Sequence, residues 1–239
     1  MSEFNTNYYE SAEDNLRAYM TKVFSTMGLG LALTSAIAWW GYMSCMSGGI
    51  VYKLLIGMPM FSIVLVIAEF GIVIALSRGL TSFAPGTCHA LFYGYCAITG
   101  LTFSILPMAY GVSNVFVAFV FAAVLFICMA IIGHTTKVDL TQFSGLLTGG
   151  LLALVVISLI SLFVPVLRNS LMIGYLGLIL FLALTAWDVQ KIKRFYYMYN
   201  GGSMRENMAI YGAFQLYLDF INIFLYVLRI LGNSRNSRN

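Results

Sequence analysis

Residues 216–229 read LYLDFINIFLYVLR and place one carboxyl group, that of Asp219, inside an apolar segment. The segment extends from about Met208 to Leu231, and about 20 helical residues are enough to cross a bilayer. An ionisable side chain at that depth is costly and usually faces the interior of a helix bundle or a water-filled cavity. This stretch therefore predicts a membrane-spanning helix with a functional acid near its middle.

The composition of the whole chain indicates a membrane protein. Of its 239 residues, 60% are hydrophobic and only 9% are charged, and the mean hydropathy is +0.87. These values exclude an ordinary soluble protein. The net charge of +4 is thinly spread, with no run of Lys and Arg to follow a phosphate backbone, so no nucleic-acid partner is expected. The expected partner is the lipid bilayer.

Apolar runs of about 18 residues or more predict an all-α membrane protein, a bundle of seven transmembrane helices. The runs are 20–43, 58–77, 88–107, 114–133, 145–166, 170–190 and 208–231. The expected organisation is a polar N-terminal tail over 1–19, a transmembrane domain over 20–231 and a short basic C-terminal tail over 232–239. Glycine pairs predict close helix packing; they are Gly28 with Gly30, Gly145 with Gly149, and Gly174 with Gly177.

Lysine and arginine residues outside the apolar runs predict the orientation, because cytoplasmic loops are enriched in them. One side would hold Arg17, Lys22, Arg78, Lys137, Lys191, Lys193, Arg194 and Arg205. The other side would hold Lys53, Arg168, Arg229, Arg235 and Arg238. The larger first set favours a cytoplasmic N-terminus and an outer C-terminus. A re-entrant last span would move three arginines inside, so a six-span arrangement remains open.

The seventh span carries a polar stripe. Gln215, Asp219, Asn222, Tyr226 and Arg229 recur at steps of four, three, four and three, which puts them on one helical face. The rest of the span is mostly apolar. A helix of this kind should be central, with its polar face toward a cavity shielded from lipid. Gln215, Asn222 and Tyr226 are therefore candidates to line a pore.

Three acids lie within the apolar spans, namely Glu69, Asp188 and Asp219. Each could instead be a structural residue that reaches out from a helix end or locks two helices together. By depth, we expect Glu69 to pair with Arg229, and Arg78 to pair with one of the two aspartates.

Two aspartates from adjacent helices would form a pH-sensitive site, since burial and like charge both favour the neutral form of a carboxyl group. When protonated, the pair shares a hydrogen bond; when ionised, it repels and can open a path or bind a cation. Carboxylate oxygens suit Ca²⁺, so Asp188 and Asp219 are also the candidate Ca²⁺ ligands. The cysteines and histidines have no metal-site spacing and are interpreted as buried or interfacial residues.

Four ordered segments of the chain carry a family resemblance. They are LRAYMTKVF at 16–24, GHTTKVDL at 133–140, TAWDVQKIK at 185–193 and LYLDFIN at 216–222. These segments resemble successive signatures of the Bax inhibitor-1 family, the transmembrane Bax inhibitor motif proteins, in its bacterial branch. The resemblance covers almost the whole chain.

The resemblance implies a seven-helix fold with the last helix central, and a pH-sensitive Ca²⁺ leak channel controlled by a di-aspartyl pair. That pair corresponds to Asp188 and Asp219, and the supporting charges correspond to Glu69, Arg78 and Arg229. The implied location is the bacterial inner membrane, with the N-terminus in the cytoplasm. We expect no enzyme activity and no tightly bound cofactor, with Ca²⁺ as the permeant ion. The segment between the aspartates, 194–207, is predicted to be a long loop.

Two other functions are weighed against the channel. An intramembrane aspartyl protease also needs two transmembrane aspartates, but its Gly-x-Gly-Asp context is missing, because Trp187 precedes Asp188 and Leu218 precedes Asp219. A regulator of a membrane-bound quality-control protease would act through its helix surfaces and its acidic N-terminal tail. The sequence leaves the physiological partner and the oligomeric state open.

Overall fold

The computed structural model describes residues 2–161, 164, 170–199 and 202–236, with the side chains of residues 2–12, 59 and 234–236 left out. The chain is 90% helical, with no strand in these ranges. The helices are α1 (Ser2–Met46), α2 (Ile50–Leu55), α3 (Pro59–Gly79), α4 (Pro85–Phe103), α5 (Leu106–Tyr110), α6 (Val112–Thr135), α7 (Ser144–Ser161), α8 (Leu171–Met198) and α9 (Gly202–Asn236), with a 3₁₀ helix at Leu140–Phe143 before α7.

Within the described part of the chain, seven helical segments are long and apolar enough to cross a membrane, which confirms the predicted all-α bundle. They are Glu13–Met46, Met60–Gly79, Pro85–Tyr110, Val112–Thr135, Leu140–Ser161, Leu171–Met198 and Gly202–Asn233. In the apolar 18-residue window of each segment, 56% of the last segment and 50% of the sixth are buried, whereas none of the other five exceeds 28%. The helix with the polar stripe is thus the most buried of the seven, as expected for a central helix.

The helices continue beyond the apolar runs from which the spans were predicted. α1 begins at Ser2 and includes most of the predicted polar tail. α8 continues to Met198 and α9 begins at Gly202, so the prediction of a loop over 194–207 is wrong for most of that segment. Hydropathy marks where a chain is apolar, but polar residues such as Lys, Arg and Glu are themselves good helix formers. Residues 200–201, and most of 162–166 in the predicted fifth span, lie outside the described residues.

The described chain forms two compact units. The first contains Met1–Ile105 and Ile192–Tyr217, and the second contains Leu106–Lys191 and Leu218–Asn239. In the first unit, α1 and α4 approach so closely that a Cβ atom on Gly100 would lie 2.8 Å from the carbonyl oxygen of Thr34. Without a side chain, Gly100 lets the two backbones come into contact.

A set of hydroxyl groups joins helices inside the first unit, and we call Thr34, Thr99, Tyr217 and Glu69 the hydroxyl network. The Thr34 hydroxyl donates to the carbonyl of Cys96 at 2.9 Å and lies 2.7 Å from the Tyr217 hydroxyl, which is fully buried. The Thr99 hydroxyl donates to Glu69 Oε1 at 3.1 Å. These bonds connect side chains of α1, α3, α4 and α9.

In the second unit, glycines bring α8 close to two other helices. A Cβ atom on Gly133 of α6 would lie 2.8 Å from the Cα atom of Ala186, and the Tyr226 ring of α9 lies directly against Gly177. Gly174 also faces α9, with its added Cβ 3.2 Å from Ile230. The packing prediction is confirmed for Gly174 and Gly177.

The packing prediction is only partly right for the other two glycine pairs. Gly30 contacts the Phe92 ring, but no described atom lies within 4 Å of a Cβ atom on Gly28, Gly145 or Gly149. A glycine repeat identifies a smooth helical face, but whether another helix packs against that face depends on how the helices are arranged.

Candidate functional site

Asp188 of α8 and Asp219 of α9 lie together in the second unit. Their exposed fractions are 5% and 4%, and the two side chains are close enough to interact electrostatically. Because a carboxylate has no donor, a hydrogen bond between two carboxyl groups requires that one of them carries a proton. That the two acids share a single proton stays a prediction.

One cation, Lys191, lies close to Asp188 on α8. Lys191 Nζ lies 3.6 Å from Asp188 Oδ1, slightly beyond hydrogen-bonding distance, and 4.6 Å from the centroid of the Trp187 ring. The lysine side chain is 25% exposed and that of Asp188 is 7% exposed. Lys191 is thus a neighbour of the buried acid that is itself more accessible. The spacing of three residues, about one helical turn, could have indicated that Lys191 is a partner of Asp188.

The backbone near Asp188 is held by its neighbours. Gly133 packs against Ala186, two residues before the acid. Two residues after the acid, Gln190 accepts from the Leu140 N–H at 2.9 Å and donates to the Val138 carbonyl at 2.8 Å. The loop after α6 is therefore tied to α8 by one amide side chain. Sequence reasoning gave Gln190 no role, because an amide side chain gives no signal of its partner.

Asp219 is oriented by aromatic packing on the adjacent residue. The Phe220 ring contacts the rings of Phe119 and Phe126 of α6 at centroid distances of 5.4 and 5.7 Å. Seven residues after Asp219 along α9, the Tyr226 ring packs on Phe181 and Gly177 of α8. These contacts fix the rotation of α9, and with it the direction of the Asp219 side chain.

Four of the five residues of the polar stripe on α9 are more accessible than the apolar residues beside them, whereas Asp219 is buried. Gln215, Asn222, Tyr226 and Arg229 are half-buried, whereas the neighbouring apolar residues Leu216, Ile223 and Leu228 are fully buried. Asn222 donates its amide to the Leu218 carbonyl at 2.8 Å, within the same helix. The Gln215 side-chain oxygen is buried with no hydrogen-bond partner among the described residues. That Gln215, Asn222 and Tyr226 line a pore stays a prediction.

The other three predicted site residues, Glu69, Arg78 and Arg229, do not all belong to one unit. Glu69 lies in the first unit and accepts from Thr99, and Arg78 lies in the last turn of α3 in that unit. Arg229 belongs to the second unit. The two predicted charge pairs, Glu69 with Arg229 and Arg78 with an aspartate, each join residues of different units and stay predictions.

The donor set of the site is two carboxyl groups with one ammonium group beside them, and Ca²⁺ binding by the two acids stays a prediction. Within the described ranges there is no cluster of three or more His, Cys, Asp or Glu residues. Two carboxylates fall short of the six to eight oxygen ligands that Ca²⁺ takes when tightly held, and Lys191 would compete with a cation. Cys45, Cys88 and Cys96 are buried as expected, but Cys128 is exposed.

The fold and the site together define a class: an all-helical integral membrane protein with seven spans and a pair of acids buried between its last two helices. Residues 16–236 match the family described as "Inhibitor of apoptosis-promoting Bax1". The chain belongs to this family, the Bax inhibitor-1 family.

Three curated bacterial relatives cover nearly the full length of the chain. "Inner membrane protein YbhL" of Escherichia coli K12 is 37% identical over 222 residues, which are 92% of this chain and 93% of the relative. A Rickettsia prowazekii protein, RP147, is 33% identical over 231 residues, 97% and 96% of the two chains. A membrane protein of Streptococcus pyogenes serotype M3 is 32% identical over 226 residues, 95% and 97%. The relatives are thus bacterial, two are named as membrane proteins, and none of the three names denotes an enzyme.

Proposed function

We propose that the chain is a pH-sensitive cation leak channel, with Ca²⁺ as the permeant ion and the Asp188–Asp219 pair as its gate. The observation that supports this proposal is the pair itself, two buried carboxyl groups from the last two spans that lie close enough to interact electrostatically. A shared proton holds α8 and α9 together. Its loss leaves two like charges in a medium that screens them weakly, which pushes the helices apart.

The sign of the pH response follows from this arrangement. The hydrogen bond between the carboxyl groups exists only while one proton remains, so raising the pH removes the bond and opens the path. A carboxylate freed in this way can bind a passing Ca²⁺ ion through oxygen atoms. The leak therefore increases as the pH rises.

The test is Ca²⁺ flux into proteoliposomes from about pH 6 to about pH 8, a range in which a paired buried carboxyl group can titrate. Asp188→Asn and Asp219→Asn keep the size of the side chain and supply a donor that does not titrate. We expect flux that increases with pH in the wild type and flux that is independent of pH in either variant. Glu13→Gln is the control, because Glu13 is an acid with a side chain that is 75% exposed.

Two results would contradict the proposal. Flux that follows the wild-type pH profile in both asparagine variants would exclude the pair as the gate. Complete absence of flux in the wild type would exclude the channel and favour the regulator of a membrane protease. In that case, deletion of residues 1–15 should abolish binding of the membrane protease.

A further inference from the structure

A cavity of about 350 Å³ lies in the first unit, where the N-terminal part of α1 meets the end of α8 and the start of α9. Its lining includes Tyr19, Lys22, Tyr196, Arg205 and Glu206. The volume is within the range of small-ligand sites, about 300–1,000 Å³. The cavity is separate from the aspartate pair, which belongs to the second unit.

Two cations of the cavity are held in place. Arg205 donates its Nε–H to the Tyr199 carbonyl at 2.8 Å, and its guanidinium lies 4.5 Å from the centroid of the Tyr196 ring. These two contacts fix the plane of a group that has five N–H donors in all. Lys22 Nζ lies 2.8 Å from Glu206 Oε1, with both side chains partly exposed. Two cations and one carboxylate therefore line the cavity.

A buried hydroxyl in the same lining has no partner. Tyr19 is 7% exposed, its ring packs on Tyr196 at a centroid distance of 5.5 Å, and its hydroxyl oxygen has no hydrogen-bond partner in the described part of the chain. The Arg205 guanidinium is close enough to this hydroxyl to interact with it electrostatically. Buried polar groups are normally hydrogen-bonded, so an unpaired hydroxyl beside a cavity indicates a ligand with an acceptor atom.

We propose that this cavity binds a phosphate group, carried either by the headgroup of an anionic lipid or by a small phosphorylated compound. Phosphate oxygens accept from a guanidinium, an ammonium and a hydroxyl, which are the groups available at Arg205, Lys22 and Tyr19. The start of α9 at Gly202 also lines the cavity, and a helix N-terminus favours an anion. Glu206 opposes the anion and limits its affinity.

Binding to the purified full-length protein is measured by native mass spectrometry, with dioctanoyl phosphatidic acid as the probe and dioctanoylglycerol as its phosphate-free counterpart. We expect phosphatidic acid to bind and dioctanoylglycerol not to bind. Inorganic phosphate is then added as a competitor. Displacement of the lipid identifies a site for phosphate compounds in general, and lack of displacement identifies a site for a lipid headgroup; both outcomes support the proposal.

Substitutions of the residues that line the cavity should change phosphatidic acid binding in opposite directions. Arg205→Gln and Lys22→Gln should each weaken phosphatidic acid binding by about tenfold, since each loses a charge-assisted hydrogen bond. Tyr19→Phe removes one hydroxyl and should weaken binding by about threefold. Glu206→Gln should strengthen binding, because it removes the opposing carboxylate and releases Lys22.

The matched control is Arg17→Gln, which removes a cation that is 76% exposed and that pairs with Glu13 one turn away on α1. Equal binding by the Arg205→Gln, Lys22→Gln and Arg17→Gln variants would overturn the proposal. Weaker binding by Glu206→Gln would overturn it as well, and so would equal binding of the two lipids. Unchanged far-UV circular dichroism confirms that each variant is folded, and Tyr19→Phe provides the test least dependent on folding.

Discussion

Two buried polar sites lie on α9 two residues apart, and they differ in how completely their atoms are paired. Tyr217 belongs to the hydroxyl network of the first unit, where neutral hydroxyls meet good acceptors. Asp219 belongs to the aspartate pair of the second unit, where Asp188 Oδ1 and Asp219 Oδ2 have no hydrogen-bond partner among the described residues. A network of paired hydroxyl groups stabilises one arrangement. A partly satisfied acidic pair changes its energy with every proton gained or lost.

Substitutions at the two sites should therefore affect different measured quantities. Changes near the hydroxyl network should reduce stability and leave the pH profile of the leak unaltered. Changes near the aspartate pair should alter the pH profile. The three predictions below are arranged from the largest expected effect to the smallest.

The largest effect is expected from Gly133→Ala, matched with Gly100→Ala. The new Cβ atom on Gly100 would lie 2.8 Å from the Thr34 carbonyl oxygen in the first unit, and the one on Gly133 would lie against backbone atoms of Ala186 in the second. Overpacking of this kind costs about 1–3 kcal/mol, so both variants should unfold more readily in thermal or denaturant melts. Only Gly133→Ala, next to Asp188, should also change the pH profile of Ca²⁺ flux.

The control for that pair is Gly149→Ala, where no described atom lies within 4 Å of the new Cβ atom. Alanine is the better helix former by about 1 kcal/mol, so this variant should be as stable as the wild type or more stable. An altered pH profile in Gly100→Ala would contradict the distinction between the two sites.

A smaller loss of stability is expected from Tyr217→Phe. This change removes the hydroxyl that lies 2.7 Å from the Thr34 hydroxyl, while the aromatic ring and its packing remain. Loss of one buried hydrogen bond costs about 1 kcal/mol. Melting curves should show that loss, and the flux profile should keep the wild-type midpoint. A shifted midpoint would mean that the two sites are coupled through α9.

The smallest effect is expected from Lys191→Gln. This change removes the cation 3.6 Å from Asp188 Oδ1 and therefore makes the ionised pair less favourable. The increase of the leak should move to higher pH, by about half a unit, since the lysine is partly exposed and its charge is screened. Lys191→Arg should keep the wild-type midpoint. A shift to lower pH in Lys191→Gln would exclude the proposed role of this cation.

The sequence alone predicted a large part of the fold. Hydropathy located seven spans, because a bilayer requires a minimum length of apolar helix from each of them. The same measure did not locate the ends of α8 and α9, because helices continue into polar segments such as 191–198. Asp188 and Asp219 were identified as site residues because acids inside apolar spans are rare.

What the sequence by itself determined is the composition of each helix face, including the polar stripe on α9 and the acids within the spans. Only the tertiary structure decided which faces meet. It placed Asp188 beside Asp219, and it packed Gly133 tightly while leaving Gly149 open. The physical reason is that helical periodicity is local, whereas the contact between two faces depends on how whole helices pack against one another.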